Sequence, residues 1–89
     1  MSDDKLQAAI NKGAKAKALV DNEVLTEAFF KLENEYIKAW RNWHATDTDG
    51  RERLWTAVNV LGKVRDNLNR MISDGKIAQT QLEELIRNN

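Results

Sequence analysis

The chain has 89 residues, enough for one small domain, and its 14 basic and 14 acidic side chains cancel to a formal net charge of zero. It contains no cysteine and a single histidine, so disulfides, thiolate metal sites and histidine-based metal centres are excluded. A balanced charge disfavours broad nucleic-acid binding, which depends on a basic excess. No apolar run is long enough to span a bilayer, and the first residues lack the apolar core of a signal peptide, so we expect no membrane association.

The absence of proline and the scarcity of glycine predict an all-α chain. The first element is an N-terminal arm over residues 1–20. Its apolar residues recur every four positions, which predicts a weakly apolar amphipathic helix, and they are Leu6, Ile10, Ala14 and Ala18.

A central helix is predicted over residues 21–45, with Asp21 as its N-terminal cap. Apolar side chains follow at spacings of three and four along one face, in the order Leu25, Phe29, Leu32, Tyr36, Trp40 and Trp43. The polar segment "ATDTDGRER" then interrupts the pattern. Within it Asp49 and Glu52 have the spacing of a capping box, so a second helix is expected from residue 49.

The second helix is predicted over residues 49–74, with Gly75 as a left-handed C-cap. Gly62 lowers helix propensity inside it, which predicts that another helix or a bulky ring approaches there. A short C-terminal helix over 76–89, capped by Thr80 and Glu83, is expected to fold back over residues 61–72.

A turn as short as the one near residue 47 makes its two helices antiparallel neighbours. The expected partners across the hairpin include Trp40 with Leu54, and Phe29 with Val64 or Arg65. The predicted fold is therefore all-α, an antiparallel helical hairpin over 21–74 with two shorter flanking helices, all in one domain. A core of this size gains stability by burying its open face against a copy, so we expect a homo-oligomer.

The candidate binding site lies around the turn, where aromatic and cationic side chains concentrate. Its predicted residues are Trp40, Arg41, Trp43, His44, Arg51, Arg53 and Trp55. Three readings stay open: the rings belong to the hairpin core, they form a protein interface, or they stack on a nucleotide or nucleic acid whose phosphates the arginines bind. The C-terminal helix is too short to reach this end and half of the apolar stripe of the N-terminal arm is alanine, so an outside partner is expected here unless the rings fill the hairpin themselves.

No pattern in the chain predicts catalysis, a metal site or a cofactor. The run "DTDG" resembles part of a calcium loop, but Ala45 and Thr56 stand where the first and last ligands would be. His44 lies close to Asp47 and Asp49, yet there is no nucleophile or second histidine nearby. No glycine-rich phosphate loop is present. We therefore expect a protein that is not an enzyme.

The segments "NEVLTEAFFKLENEYIKAWRN", "DGRERLW" and "LGKVRDNLNRMISDGKIAQTQLEEL" resemble small helical proteins of tailed bacteriophages and prophages. The resemblance covers roughly residues 21–85 and implies a viral protein located in the cytoplasm of a bacterial host or in the virion. It implies two candidate roles: a small oligomeric part of head assembly or DNA packaging, or an accessory protein that binds a signal molecule or binds a host factor and so interferes with it. The expected function is thus a non-enzymatic interaction protein that binds itself and a protein partner, and the alternative is a module that binds or sequesters a nucleotide or nucleic acid.

Overall fold

The computed structural model describes residues 3–88, and within this range the chain is helical with no strand. It has three helices: α1 (Asp3–Val20), α2 (Glu23–Asn42) and α3 (Thr48–Asn88). The all-α prediction is confirmed. The ends of the predicted N-terminal arm and C-terminal helix, at residues 1, 2 and 89, lie outside the described residues.

The chain divides into two compact units. One combines the described parts of Met1–Asn22 and Asp66–Asn89, and the other is Glu23–Arg65. Helix α3 contributes to both units, because it continues through the boundary.

The unit built from α1 and the second part of α3 contains all the buried residues found within residues 3–88. Leu6 is its most buried side chain, with 1% of its surface exposed, and the other buried residues are small: Gly13, Ala16, Gly75 and Ala78. A Cβ atom added to Gly13 would lie 2.9 Å from the carbonyl oxygen of Met71 and 3.0 Å from the Cα of Gly75. The two backbones therefore touch at a glycine on each helix, an approach that larger residues would prevent.

The predicted helix break at Gly75 is wrong. Gly75 lies inside α3, and no glycine in residues 3–88 has a positive φ. A Cβ at Gly75 would lie 3.1 Å from the Cα of Gly13 and 3.2 Å from the carbonyl oxygen of Ala9, so this glycine serves close helix packing instead of termination. No separate C-terminal helix forms, and Thr80 donates to the carbonyl oxygen of Lys76 within α3 rather than capping a new helix.

The prediction that another helix or a bulky ring lies close to Gly62 is also wrong. A Cβ built on Gly62 meets nothing within 4 Å, whereas at Gly13 and Gly75 the backbone of another helix lies within about 3 Å of the added atom. Helix propensity alone shows that a glycine is costly, but it does not tell which glycine a neighbour requires.

The unit Glu23–Arg65 holds α2 against the first part of α3 through contacts near the end of α2 and around its middle. The rings of Trp40 and Trp55 lie 5.7 Å apart between centroids, so Trp40 faces Trp55 one position beyond the predicted Leu54. Around the middle of α2, the guanidinium of Arg65 pairs with Glu33 and lies 5.9 Å from the ring of Phe30. No residue of this unit is buried.

Candidate interaction site at the turn between α2 and α3

The turn between α2 and α3 is organised by the carboxylate of Asp47. Its Oδ1 accepts a hydrogen bond of 3.0 Å from the backbone N–H of Gly50, and its Oδ2 accepts one of 2.9 Å from the indole Nε1 of Trp43. The first bond satisfies an N–H that has no partner inside the helix, so Asp47 is the N-terminal cap of α3. The cap predicted at Asp49 is therefore displaced by two residues, since Asp49 already lies in the first turn of α3.

These contacts favour the charged form of Asp47. The N–H of Gly50 first, and then the indole N–H of Trp43, hold the pKa of this carboxyl below its ordinary value of 3.8, and the charge of Arg53 acts in the same direction. Partial desolvation opposes them without reversing the shift. Asp47 is thus an ionised structural group at neutral pH.

Gly50 leaves room for the indole of Trp43. A Cβ at Gly50 would lie 2.7 Å from Oδ2 of Asp47 and 2.8 Å from Cε2 of Trp43. The ring therefore lies against the first turn of α3 while 42% of the residue's surface remains exposed. Trp43 has a fixed orientation and still presents ring surface to solvent.

Arg51, which lies on α3, binds carbonyl oxygens at the C-terminal end of α2. Its Nη1 donates to the carbonyl oxygens of Trp40, at 2.9 Å, and of Trp43, at 3.4 Å, and its guanidinium lies 4.4 Å from the centre of a Trp40 ring. The last carbonyls of a helix have no partner inside it and carry its negative dipole end, so a cation is stabilising there. The guanidinium of Arg51 is thus engaged within the chain.

The remaining predicted residues are exposed at the surface. Arg41, His44 and Arg53 are exposed, and Trp55 has 53% of its surface exposed despite its contact with Trp40. His44 follows the end of α2, which stops at Asn42 rather than at residue 45, and its carbonyl oxygen accepts a bond from the N–H of Asp47. A shallow depression beside it is lined by Asn42, Trp43, His44, Thr46 and Asp47.

Two groups of this unit are not predicted from the sequence: Asp47, which binds Trp43, and the pair of Arg65 with Glu33. Asp47 stands three residues before Gly50, the spacing of a cap to the third residue of a helix, and this signal could have identified it. The pair of Arg65 with Glu33 joins residues from two helices, so no local spacing could have shown it.

Within residues 3–88 no group of three or more histidine, aspartate or glutamate side chains is placed to hold a metal ion. None of the helices in that range combines the length and apolar character needed to cross a membrane.

Comparison of the chain with models of known families, with curated proteins and with solved structures gives no match. Function must therefore be argued from the geometry of these residues.

Proposed function

We propose that the chain is a non-enzymatic interaction protein that acts as a homo-oligomer. In this proposal α2 and the first part of α3 form an antiparallel hairpin whose open faces are covered by a second copy. The exposed aromatic and cationic residues at the turn contact a protein partner.

The observation that carries the proposal is that no residue in Glu23–Arg65 is buried. Several of its large apolar side chains are instead exposed: Val24, Phe30, Leu32, Trp43, Trp55, Val60 and Val64. Ordering each residue's backbone costs about 1–2 kcal/mol, and burial of apolar surface is the main term that offsets this cost. Two helices that bury so little of their apolar surface gain stability from further cover.

A second copy is the occupant that best fits the charge of this unit. Glu23–Arg65 carries seven basic and seven acidic side chains, so two copies approach without net repulsion. The basic ones are Lys31, Lys38, Arg41, Arg51, Arg53, Lys63 and Arg65, and the acidic ones are Glu23, Glu27, Glu33, Glu35, Asp47, Asp49 and Glu52. A partner of strong single charge would find no matching surface here.

The order of contacts supports the hairpin. Trp40, near the end of α2, meets Trp55 near the start of α3, while Glu33, earlier in α2, meets Arg65 further along α3. Residues that progress in opposite directions along two helices are typical of an antiparallel pair.

Protein contact is favoured over nucleotide contact at the turn because two of the best candidate groups are already engaged. The indole N–H of Trp43 binds Asp47, and the guanidinium of Arg51 binds the end of α2. Trp55, Arg41 and Arg53 remain exposed, and tryptophan and arginine are enriched at the energetic centres of protein interfaces.

The resemblance of residues 21–85 to small phage proteins gives the proposal its setting. Self-association fits a component of head assembly or packaging, and an exposed aromatic end also fits an inhibitor of a host factor. The protein would work in the cytoplasm of a bacterial host or in the virion. Neighbouring genes for packaging or head proteins would favour the assembly role over interference with the host.

Light scattering on the purified chain tests self-association directly. We expect a mass of at least twice 10.2 kDa at tens of micromolar, falling on dilution. A strict monomer over that range would overturn the proposal.

Tryptophan fluorescence tests the nucleotide alternative. Bases that stack on the exposed Trp43 and Trp55 should quench their emission. If the turn contacts a protein instead, titration with nucleotides, cyclic nucleotides and short single-stranded DNA is expected to leave the emission unchanged. Saturable quenching that Trp55→Ala abolishes would replace protein contact by nucleotide binding at the turn.

A further inference from the structure

Helix α2 carries a strip of exposed side chains, of which only Phe30 has a described contact with α3. The strip consists of Glu23, Glu27, Phe30, Asn34, Lys38 and Arg41, all of them exposed. They follow each other at spacings of three and four, which places them on one face of the helix. This set is called the α2 strip below.

The charges of the α2 strip are ordered along the helix. Acids occupy its first part and bases its last part, with Phe30 and Asn34 between them. The helix dipole accounts for Glu23 and Arg41, which lie in the first and last turns, but its effect fades beyond those turns and does not reach Glu27 or Lys38. Neither ion pair seen in residues 3–88 involves any of these four charges.

We infer that the α2 strip docks antiparallel on the same strip of a second copy, related by a two-fold axis. This inference rests on the proposed self-association and specifies its surface. Glu27 then lies opposite Lys38 of the second copy, and Glu23 lies opposite Arg41, because each pair is equally far from the middle of the strip. The same pairs recur on the other side of the axis, so one contact forms four ion pairs.

Phe30 supplies the apolar centre of this contact. It has 58% of its surface exposed, and the guanidinium of Arg65 lies at 5.9 Å from its ring centre, so most of the ring is open. In the antiparallel arrangement Phe30 lies beside Asn34 of the second copy. The two Phe30 rings are then about four residues apart along the axis, roughly 6 Å, which allows them to contact each other.

The mirrored order of charge is what selects a second copy over another partner. Along one copy the strip runs from acids through the apolar centre to bases. Along the antiparallel copy beside it the order is reversed, so acids face bases at both ends. An isologous interface requires a surface that is complementary to itself in this way.

Charge reversal tests the inference. The variant Glu23→Lys with Glu27→Lys makes the strip wholly basic, and Lys38→Glu with Arg41→Glu makes it wholly acidic. At low salt the dissociation constant for self-association of each variant alone is expected to be at least about tenfold higher than that of the wild type, because four attractive pairs become repulsive. An equimolar mixture of the two should restore association as a heterodimer, measured by sedimentation and by mass of the mixed species.

Matched controls carry the same charge changes off the strip. Glu35→Lys with Glu52→Lys, and Lys15→Glu with Lys63→Glu, alter exposed positions and should leave dissociation within about threefold of the wild type. Circular dichroism shows whether each variant keeps its helices, and recovery in the mixture shows that both variants are competent to bind.

The outcomes separate the two proposals. Wild-type association that neither strip variant weakens overturns the α2 strip and leaves self-association standing on another surface. Weakening by the strip variants without recovery in the mixture also overturns the antiparallel pairing. A wild-type monomer overturns both proposals.

Discussion

Asp47 connects the two helices at the turn through a single carboxylate. One oxygen caps α3 and the other fixes the ring of Trp43, so the loss of this group affects both the start of α3 and the orientation of the exposed indole. The exposed surface at this end therefore depends on Asp47, a residue with a structural role that is not among the predicted site residues.

We predict that Asp47→Ala lowers the midpoint temperature of unfolding by about 5 °C at neutral pH, as the loss of a cap does in a small domain. The folded pKa lies below the ordinary value of 3.8, so the charge-dependent part of this stabilisation is present above that value and is lost as the pH falls through the folded pKa. Thermal melts followed by circular dichroism should therefore show the wild type approaching the variant only below about pH 4.

The control for this prediction is Asp49→Ala, which removes the same charge from the first turn of α3 without removing a cap. It should have less than half the effect of Asp47→Ala. Equal losses in the two variants would show that general charge at the helix start, rather than the bonds of Asp47, provides the stability.

At the turn, the sequence predicts which aromatic and cationic residues lie near the helix ends, but not which atoms each of them binds. The 3.6-residue period identifies the face of α2 and brings Trp40 and Trp43 to its end. It cannot show that Arg51 binds the last carbonyls of α2, because this contact depends on the path of the chain through the turn. Of the predicted site residues, Trp40 contacts Trp55 and Arg51, and the hydrogen-bonding groups of Trp43 and Arg51 bind partners within the chain.

At the level of helices, close packing is concentrated at one pair of glycines. Gly13 in α1 and Gly75 in α3 bring two backbones into contact, whereas Gly62 faces open space. The same residue type therefore has opposite consequences for stability at different places in the fold.

We predict that Gly13→Ala and Gly75→Ala each reduce the free energy of unfolding by about 1–3 kcal/mol, because the new methyl group meets backbone atoms that have little freedom to move. Gly62→Ala should instead raise it by about 1 kcal/mol, since alanine favours the helix and meets no neighbour. Urea unfolding of the three variants at one protein concentration provides the comparison.

Gly62→Ala is also the internal control, because it has the same chemistry as the other two substitutions. A loss of stability at Gly62 would contradict the open surroundings of that position. A gain at Gly13 or Gly75 would contradict the close approach of α1 and α3.

The glycines also show the limit of sequence reasoning about helices. The absence of proline and the helix-forming composition predict the all-α class correctly. The run "SDG" is typical of a helix end, but tertiary contact with Gly13 overrides this local preference and α3 continues. A contact between residues 62 positions apart in the sequence leaves no trace in local periodicity.

For the whole molecule, burial differs between the two units. The unit of α1 with the second part of α3 has its own buried residues, including Leu6 and Ala78, whereas Glu23–Arg65 has none. The proposed self-association should accordingly contribute more to the stability of Glu23–Arg65 than to that of the other unit.

We therefore predict that hydrogen exchange in Glu23–Arg65 depends on protein concentration. Dilution from about 100 µM to about 1 µM should speed amide exchange there by an order of magnitude, because the monomer lacks the cover of a second copy. Amides around Gly13 and Gly75, whose contact lies within one chain, should exchange at the same rate at both concentrations. The variant Glu23→Lys with Glu27→Lys should exchange faster than the wild type in this unit at the higher concentration. Exchange in Glu23–Arg65 that is slow and independent of concentration would mean that these two helices are stable without a second copy.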